Sequence, residues 1–338
     1  DRFTFFIEPP TAASESDVLA GTYGGIGVQI HRNEQGQFAL YPYKDSPAAA
    51  AGIADGDILT QINGQPLDPN VGQDSIDQMM RGEVKQGNGV QITVTQAASG
   101  KSLTVLIPFA VINVPSVTYR VLAEDPTIGY VQISIITSRT PDELKAALQD
   151  LTSKNVKSLV LDLRNNTGGL LEESVQVANA FIASGPIVFE DNKQGEQTYS
   201  AQSSGLITTL PMVVLVNGMT ASGAELIAGA IQDDQRGVLI GQKTYGKGTV
   251  QEIFSLSDKS SLHITAAEWL TPKKHHLDGV GLTPDIPVTP DAQGRDLELG
   301  QAVQYLEGKP GTVAATPQAA SQTNAVTIST TEAATTSP

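Results

Sequence analysis

Residues 212–251 read MVVLVNGMTASGAELIAGAIQDDQRGVLIGQKTYGKGTVQ. Met212 to Val216 is an unbroken apolar run of strand length, and Asn217-Gly218 breaks it with a sharp turn. From Ser222 the period changes, and Leu226, Ile227, Ala230 and Ile231 make the apolar stripe of a helix. A short strand, Val238 to Ile240, then leads to Lys247 between two glycines and on to Gln251. Strand, helix and strand in this order predict a parallel sheet covered by helices. They also place one hydroxyl at a helix start and one amine on a tight loop.

A serine hydroxyl attacks a carbonyl only when a base takes its proton, and a neutral lysine amine can do so. Free lysine titrates near ~10.4, so a lysine working near neutrality needs a shift of roughly 3 units, or about 4 kcal/mol. Burial supplies that much, and Gly246 and Gly248 allow the close packing that burial requires. The local pattern has a plainer reading beside this one. Ser222-Gly223-Ala224-Glu225 fits a capping box, and most lysines between glycines sit on solvated turns. On the local pattern alone the plainer reading leads, and Glu225 reads as a helix cap rather than an acid.

Several motifs together tip the balance. DRFTFFIEP, YGGIGVQI, SPAAAAGIADGDILTQING, MMRG, LVLDLRNNTGGLLEESVQVANAF, TASGAE with TYGKGTVQ, and PDIPV occur in that order. The set resembles the C-terminal processing peptidases (tail-specific proteases) over residues 1 to about 290. The resemblance implies Ser222 as nucleophile, Lys247 as general base and Gln251 as the group that orients the lysine. It implies an oxyanion hole from the amides of Gly168 and Gly223, although spacing alone does not choose between Gly168 and Gly169. One departure is that the family often has S-A-S-E where this chain has Ser222-Gly223-Ala224-Glu225.

Working outward, residues 23 to about 110 read as a mostly-β module. Strands are expected through Ile30, over Phe38 to Tyr43 and over Asp57 to Ile62, with a helix over Gln73 to Arg81. Val90 to Gln96 and Ser102 to Pro108 make a hairpin, and Ser46-Pro47 caps a short helix. This resembles a PDZ domain in the permuted bacterial arrangement. Gly24, Gly25, Ile26 and Gly27 would cradle a peptide carboxylate with backbone amides, and the peptide would add as a strand from Val28 onward. Arg81, at the end of the helix, is by default a favourable helix-end charge. The family resemblance makes it a candidate gating residue between the two domains.

Ile128 to Ile133 and Ser158 to Leu163 are strands flanking a helix, Pro141 to Ser153, with Thr140 as its cap. Asp162 and Arg164 read as a structural ion pair. The expected architecture is an α/β catalytic core of the ClpP/crotonase type with an inserted PDZ domain and a disordered tail. Its divisions are 1–22, packing on the core; 23–112, the PDZ domain; 113–290, the catalytic domain; and 291–338, an extension that is low in complexity from about 309.

The net charge of −15 disfavours nucleic acid and anionic membranes as partners, and the absence of cysteine removes thiol chemistry. The chain shows no motif for a metal or cofactor, and its four histidines lack a catalytic context. Substrates are expected to be proteins or peptides with free, apolar C-termini. A homo-oligomer and an extracytoplasmic setting go with the family, and any membrane association would come through a segment before Asp1. Two rival readings are a catalytically silent PDZ peptide scaffold and a crotonase-like acyl-transfer enzyme. The intact serine, lysine and glutamine weigh against the scaffold, and the PDZ weighs against the acyl-transfer enzyme.

Overall fold

The computed structural model describes residues 3–33, 35–68, 71–202, 209–291 and 293–308. The low-complexity stretch from 309 lies outside the described residues.

The chain begins with β1 (Phe5–Ile7) and α1 (Pro9–Leu19). β2 (Thr22–Gly25) leads into β3 (Val28–Arg32) and β4 (Phe38–Pro42). The one-turn α2 (Pro47–Ala50) follows, with Ser46 Oγ accepting from the Ala49 N–H as its cap. Next come β5 (Asp57–Ile62), β6 (Gln65–Pro66), α3 (Gln73–Met79) and the hairpin β7 (Gly89–Thr95) and β8 (Ser102–Pro108). These strands form a sheet in the order β3-β4-β5-β7-β8, with β6 on β5, around Ile26, Leu40, Ile76, Ile92 and Ile107. β9 (Ala110–Asn113) returns antiparallel to β2, so a two-stranded ribbon closes the module at its base.

The second body carries a six-stranded sheet. β10 (Val117–Val121) runs antiparallel to β11 (Ile128–Ile133). After α4 (Thr140–Ser153), β12 (Ser158–Asp162) lies parallel to β11. α5 (Leu171–Asn179) and the hairpin β13 (Pro186–Asn192) and β14 (Gly195–Ser200) precede β15 (Met212–Val216). α6 (Gly223–Asp233), β16 (Val238–Gly241), β17 (Thr249–Ser255), β18 (Ser261–Leu270), β19 (Ile286–Pro287) and α7 (Leu297–Leu306) complete the chain. The sheet order is β10-β11-β12-β15-β16-β19, parallel from β11 onward.

Every residue of β15 is buried, because the sheet is covered on both faces. Val214 and Val216 face the core beneath α4, α5 and α6, while Val213 and Leu215 face the smaller core beneath α7. A separate antiparallel sheet, β1-β18-β13-β14 with β17 on β18, brings the first strand of the chain against one of the last. Thr140 is not the cap of α4. It lies inside the helix, buried, and its Oγ1 accepts from the Thr137 N–H at 2.8 Å, because the chain turns into the helix one residue earlier than its sequence suggests.

Candidate active site

Two loops at the carboxyl ends of β12 and β15 are laced together by side-chain amides. Asn217 Oδ1 accepts from the Asn165 N–H at 3.0 Å, and its Nδ2 donates to Asn165 Oδ1 at 2.9 Å. Asn166 is fully buried, donates to the Ile133 carbonyl at 2.9 Å and accepts from the Gly168 N–H at 2.8 Å. Thr220 Oγ1 donates to the Leu163 carbonyl. This lacing holds Ser222 at φ 54° and ψ −123°, a left-handed conformation that costs a non-glycine residue about 1–3 kcal/mol. Such a turn between strand and helix lifts a hydroxyl clear of its own backbone. Gly168 lies directly against it, and a Cβ there would come within 2.8 Å of the Ser222 Cβ.

Glu225 then joins the serine to the lysine. Its carboxylate is fully buried on the first turn of α6. One oxygen accepts from the Thr244 hydroxyl and from the Gly246 N–H at 2.8 Å. The other accepts from the Lys247 N–H at 2.9 Å and the Ser222 N–H at 3.0 Å. The cap read in the sequence is therefore also a clip holding the Lys247 loop to the start of α6. The loop closes tightly, since Gly246 takes φ 84° and a Cβ on Gly248 would sit 2.3 Å from the Asp278 amide nitrogen.

Ser222, Lys247, Gln251, Gly168 and Gly169 all line one cavity of about 330 Å³. Burial lowers the Lys247 pKa from its ordinary value, and the nearby Glu15 carboxylate opposes that shift. The amine sits 5.3 Å from the centre of the Phe3 ring. Gln251 Nε2 donates to Thr265 Oγ1 at 2.9 Å. Among the described residues no hydrogen bond links Ser222 Oγ to Lys247 Nζ, or Lys247 to Gln251, so the three line one chamber without being hydrogen-bonded to one another.

Two residues of this chamber had no signal in the sequence. Glu15 comes from α1, and its Oε2 meets His263 Nε2 at 3.0 Å; His263 is 4% exposed and stacks on Phe5 at 4.6 Å. The pair is separated by 248 positions, and no local pattern marks either member. The other histidines lie away from the chamber: His31 packs near Tyr41, while His275 and His276 sit beside Asp233 and Glu268. Among the described residues no three His, Asp or Glu side chains are grouped to hold a metal ion.

On the β-rich module, Gly24 and Gly25 belong to β2, paired with β9 on one side. On the other, Gly25 bridges Arg81 and the Gly82 N–H donates to the Gly24 carbonyl at 3.0 Å. Ile26 is fully buried, and its N–H donates to the Met80 carbonyl at 3.2 Å. Gly27, at φ 73°, turns the chain into β3 at Val28. The Arg81 guanidinium lies 4.3 Å from the centre of the Tyr23 ring.

Residues 127–288 match peptidase family S41, and residues 38–84 match the PDZ domain. The carboxy-terminal-processing protease of Bartonella bacilliformis is 34% identical over 91% of this chain and 73% of its own. The chain belongs to peptidase family S41. A second relative of this peptidase, the carboxyl-terminal-processing protease of a Picosynechococcus species, is 35% identical over 84% of this chain and 69% of its own. The solved photosystem II D1 C-terminal processing protease is 29% identical and superposes with a TM-score of 0.52, covering 87% of this chain and 81% of that one. The S41 peptidase is thus a hydrolase of peptide bonds with an α/β core and a PDZ domain.

Proposed function

We propose that this S41 peptidase is a C-terminal processing endopeptidase with a Ser222/Lys247 dyad. The observation that carries the reading is Glu225, which ties the strained Ser222 turn and the desolvated Lys247 loop to one buried carboxylate. The neutral Lys247 amine takes the Ser222 proton as Oγ attacks the scissile carbonyl carbon. The oxyanion is met by the Gly223 amide at the start of α6 and by the Gly168–Gly169 turn. The Gly168 N–H already donates to Asn166, which favours Gly169 over Gly168 as the second donor. Lys247 returns the proton to the leaving amine, and the same base then activates water against the acyl-enzyme. Before this, Lys247 turns from Phe3 toward Ser222, and Gln251 turns from Thr265 to steady it. Resting geometries are often looser than reacting ones.

The core is read as ClpP/crotonase-like, the division into domains as 23–112 and 113–290, and the setting as extracytoplasmic with homo-oligomers. No helix among the described residues is long and apolar enough to cross a membrane. The test is cleavage of an unfolded polypeptide. Ser222→Ala and Lys247→Ala should each lose about a thousandfold or more in turnover with unchanged circular dichroism, because the pair acts as a unit. Substantial turnover by Lys247→Ala would remove the dyad and return His263 to consideration.

The PDZ module is read as the receptor for the substrate's free, apolar C-terminus, through the amides of residues 24–28, of which that of Ile26 is held by the Met80 carbonyl and would have to leave it. Amidation removes the charge that those amides would hold. One peptide prepared as free acid and as amide should therefore be cleaved at clearly different rates, and equal rates would remove the PDZ from substrate choice.

A further inference from the structure

β3 is an edge strand, and β4 occupies only one of its sides. The Tyr43 N–H donates to the Gly27 carbonyl, and the Asn33 N–H donates to the Gln37 carbonyl. In an antiparallel pair, hydrogen-bonded and non-bonded positions alternate, so the odd residues of β3 bond β4. The backbone groups of Val28 and Ile30 therefore point away from β4, into the lane where a peptide strand would lie. A strand added there sits about 4.8 Å from β3 and uses the Ile30 carbonyl as an acceptor.

That lane is already crossed. Gln73, the first residue of α3, donates from Nε2 to the Ile30 carbonyl at 2.8 Å. At the other end of α3, the Met80 carbonyl accepts from the Ile26 N–H, an amide of the proposed carboxylate cradle that is thus already engaged. Arg32 adds a third tie, donating to the Val71 carbonyl at 2.7 Å just before the helix. α3 is thus strapped along β3 at both ends, and Ile76 in its middle and Met80 at its end are buried in the apolar core.

We infer that Gln73 is a latch on the peptide groove, competing with the substrate strand for Ile30 and thereby setting how tightly a C-terminus is held. This rests on the reading of the PDZ module as the receptor for the substrate's C-terminus. A peptide entering the lane takes the Ile30 carbonyl, and the Gln73 amide swings out to water. The glutamine costs affinity in proportion to the bond it gives up, so removing the amide should tighten peptide binding. A glutamine that instead contacted the peptide would have the opposite sign.

The experiment uses the full chain carrying Ser222→Ala, so that bound peptide survives. Fluorescence anisotropy with a labelled decapeptide ending in free-acid alanine, and with its amide, gives Kd for Gln73, Gln73→Ala and Gln73→Met. Methionine keeps the length of glutamine and cannot donate to Ile30. The latch predicts that both substitutions tighten free-acid binding about fivefold, the scale of one ordinary hydrogen bond. In the active enzyme, the same substitutions should lower KM for a free-acid substrate with kcat unchanged. If the free acid is preferred but the Gln73 variants bind it equally or more weakly, the latch is overturned and the capture reading stands. If no form prefers the free acid over the amide, the capture reading falls and the latch with it.

Discussion

At the scale of single residues, the chamber is governed by two carboxylates with opposite duties. Glu225 is wholly buried and receives only hydrogen bonds, so its charge is spent on geometry. Glu15 faces both His263 and the lysine amine from the N-terminal helix. A nearby carboxylate favours the ammonium form, so Glu15 holds the Lys247 pKa higher than burial alone would set it. On the proposed dyad only the neutral Lys247 amine is a base, so activity should rise with pH through that pKa. Replacing Glu15 with Gln removes the raising influence, so the acid-side limb of kcat/KM should move to lower pH. A limb that stays in place or moves upward would show that Glu15 does not act on Lys247. The cap at Glu225 was legible because S-x-x-E before an apolar run is a local pattern. Its grip on residues 244–247 was not, since nothing local says which loop the spare acceptors face.

At the scale of elements, the contact between α5 and α6 accounts for the departure at Gly223. A Cβ on Gly223 would lie 2.3 Å from Ser174 Oγ, a buried hydroxyl that donates to the Leu170 carbonyl at 2.7 Å. The small residue after Ser222 is paired with a serine from the neighbouring helix. Gly223→Ala alone should push α6 and the Ser222 turn out of place, costing about 1–3 kcal/mol of stability and most of the activity. Adding Ser174→Ala should recover much of both, as coupled neighbours do in a double-mutant cycle. Equal losses in the single and double variants would refute the pairing. Asp162 and Arg164 show how far sequence carries such contacts. Their ion pair was foreseen and forms at 2.6 Å, but Arg164 also reaches Asp296 before α7 at 2.7 Å, a partner that only the folded chain reveals. The strands and helices that were read in both bodies were legible because an apolar run, an alternation or a period of 3.6 is local, whereas the β2–β9 ribbon, the β13–β14 hairpin and α7 were not read. The cap of α4 was misread by one residue, because Thr140 serves the turn before the helix instead.

At the scale of the molecule, the β-rich module is joined to the catalytic body through the β2–β9 ribbon, and Arg81 sits where that ribbon meets α3. Its guanidinium lies over Tyr23, the residue of β2 that immediately precedes Gly24. If this contact transmits the module's orientation, Arg81→Ala should slow cleavage of long substrates while leaving peptide binding to the PDZ unchanged. Unchanged cleavage would leave Arg81 a helix-end charge, and lost binding would place it in the groove.

The pairing of β1 with β18, and of Glu15 with His263, has a consequence in time. The two sides of that wall lie 248 positions apart. At about 5–20 residues per second, a ribosome takes roughly 10–50 s to make the second side after the first. Until then the lysine chamber lacks one wall. Joining the earliest strand to one of the latest thus delays completion of the chamber until nearly all of the catalytic body has been made.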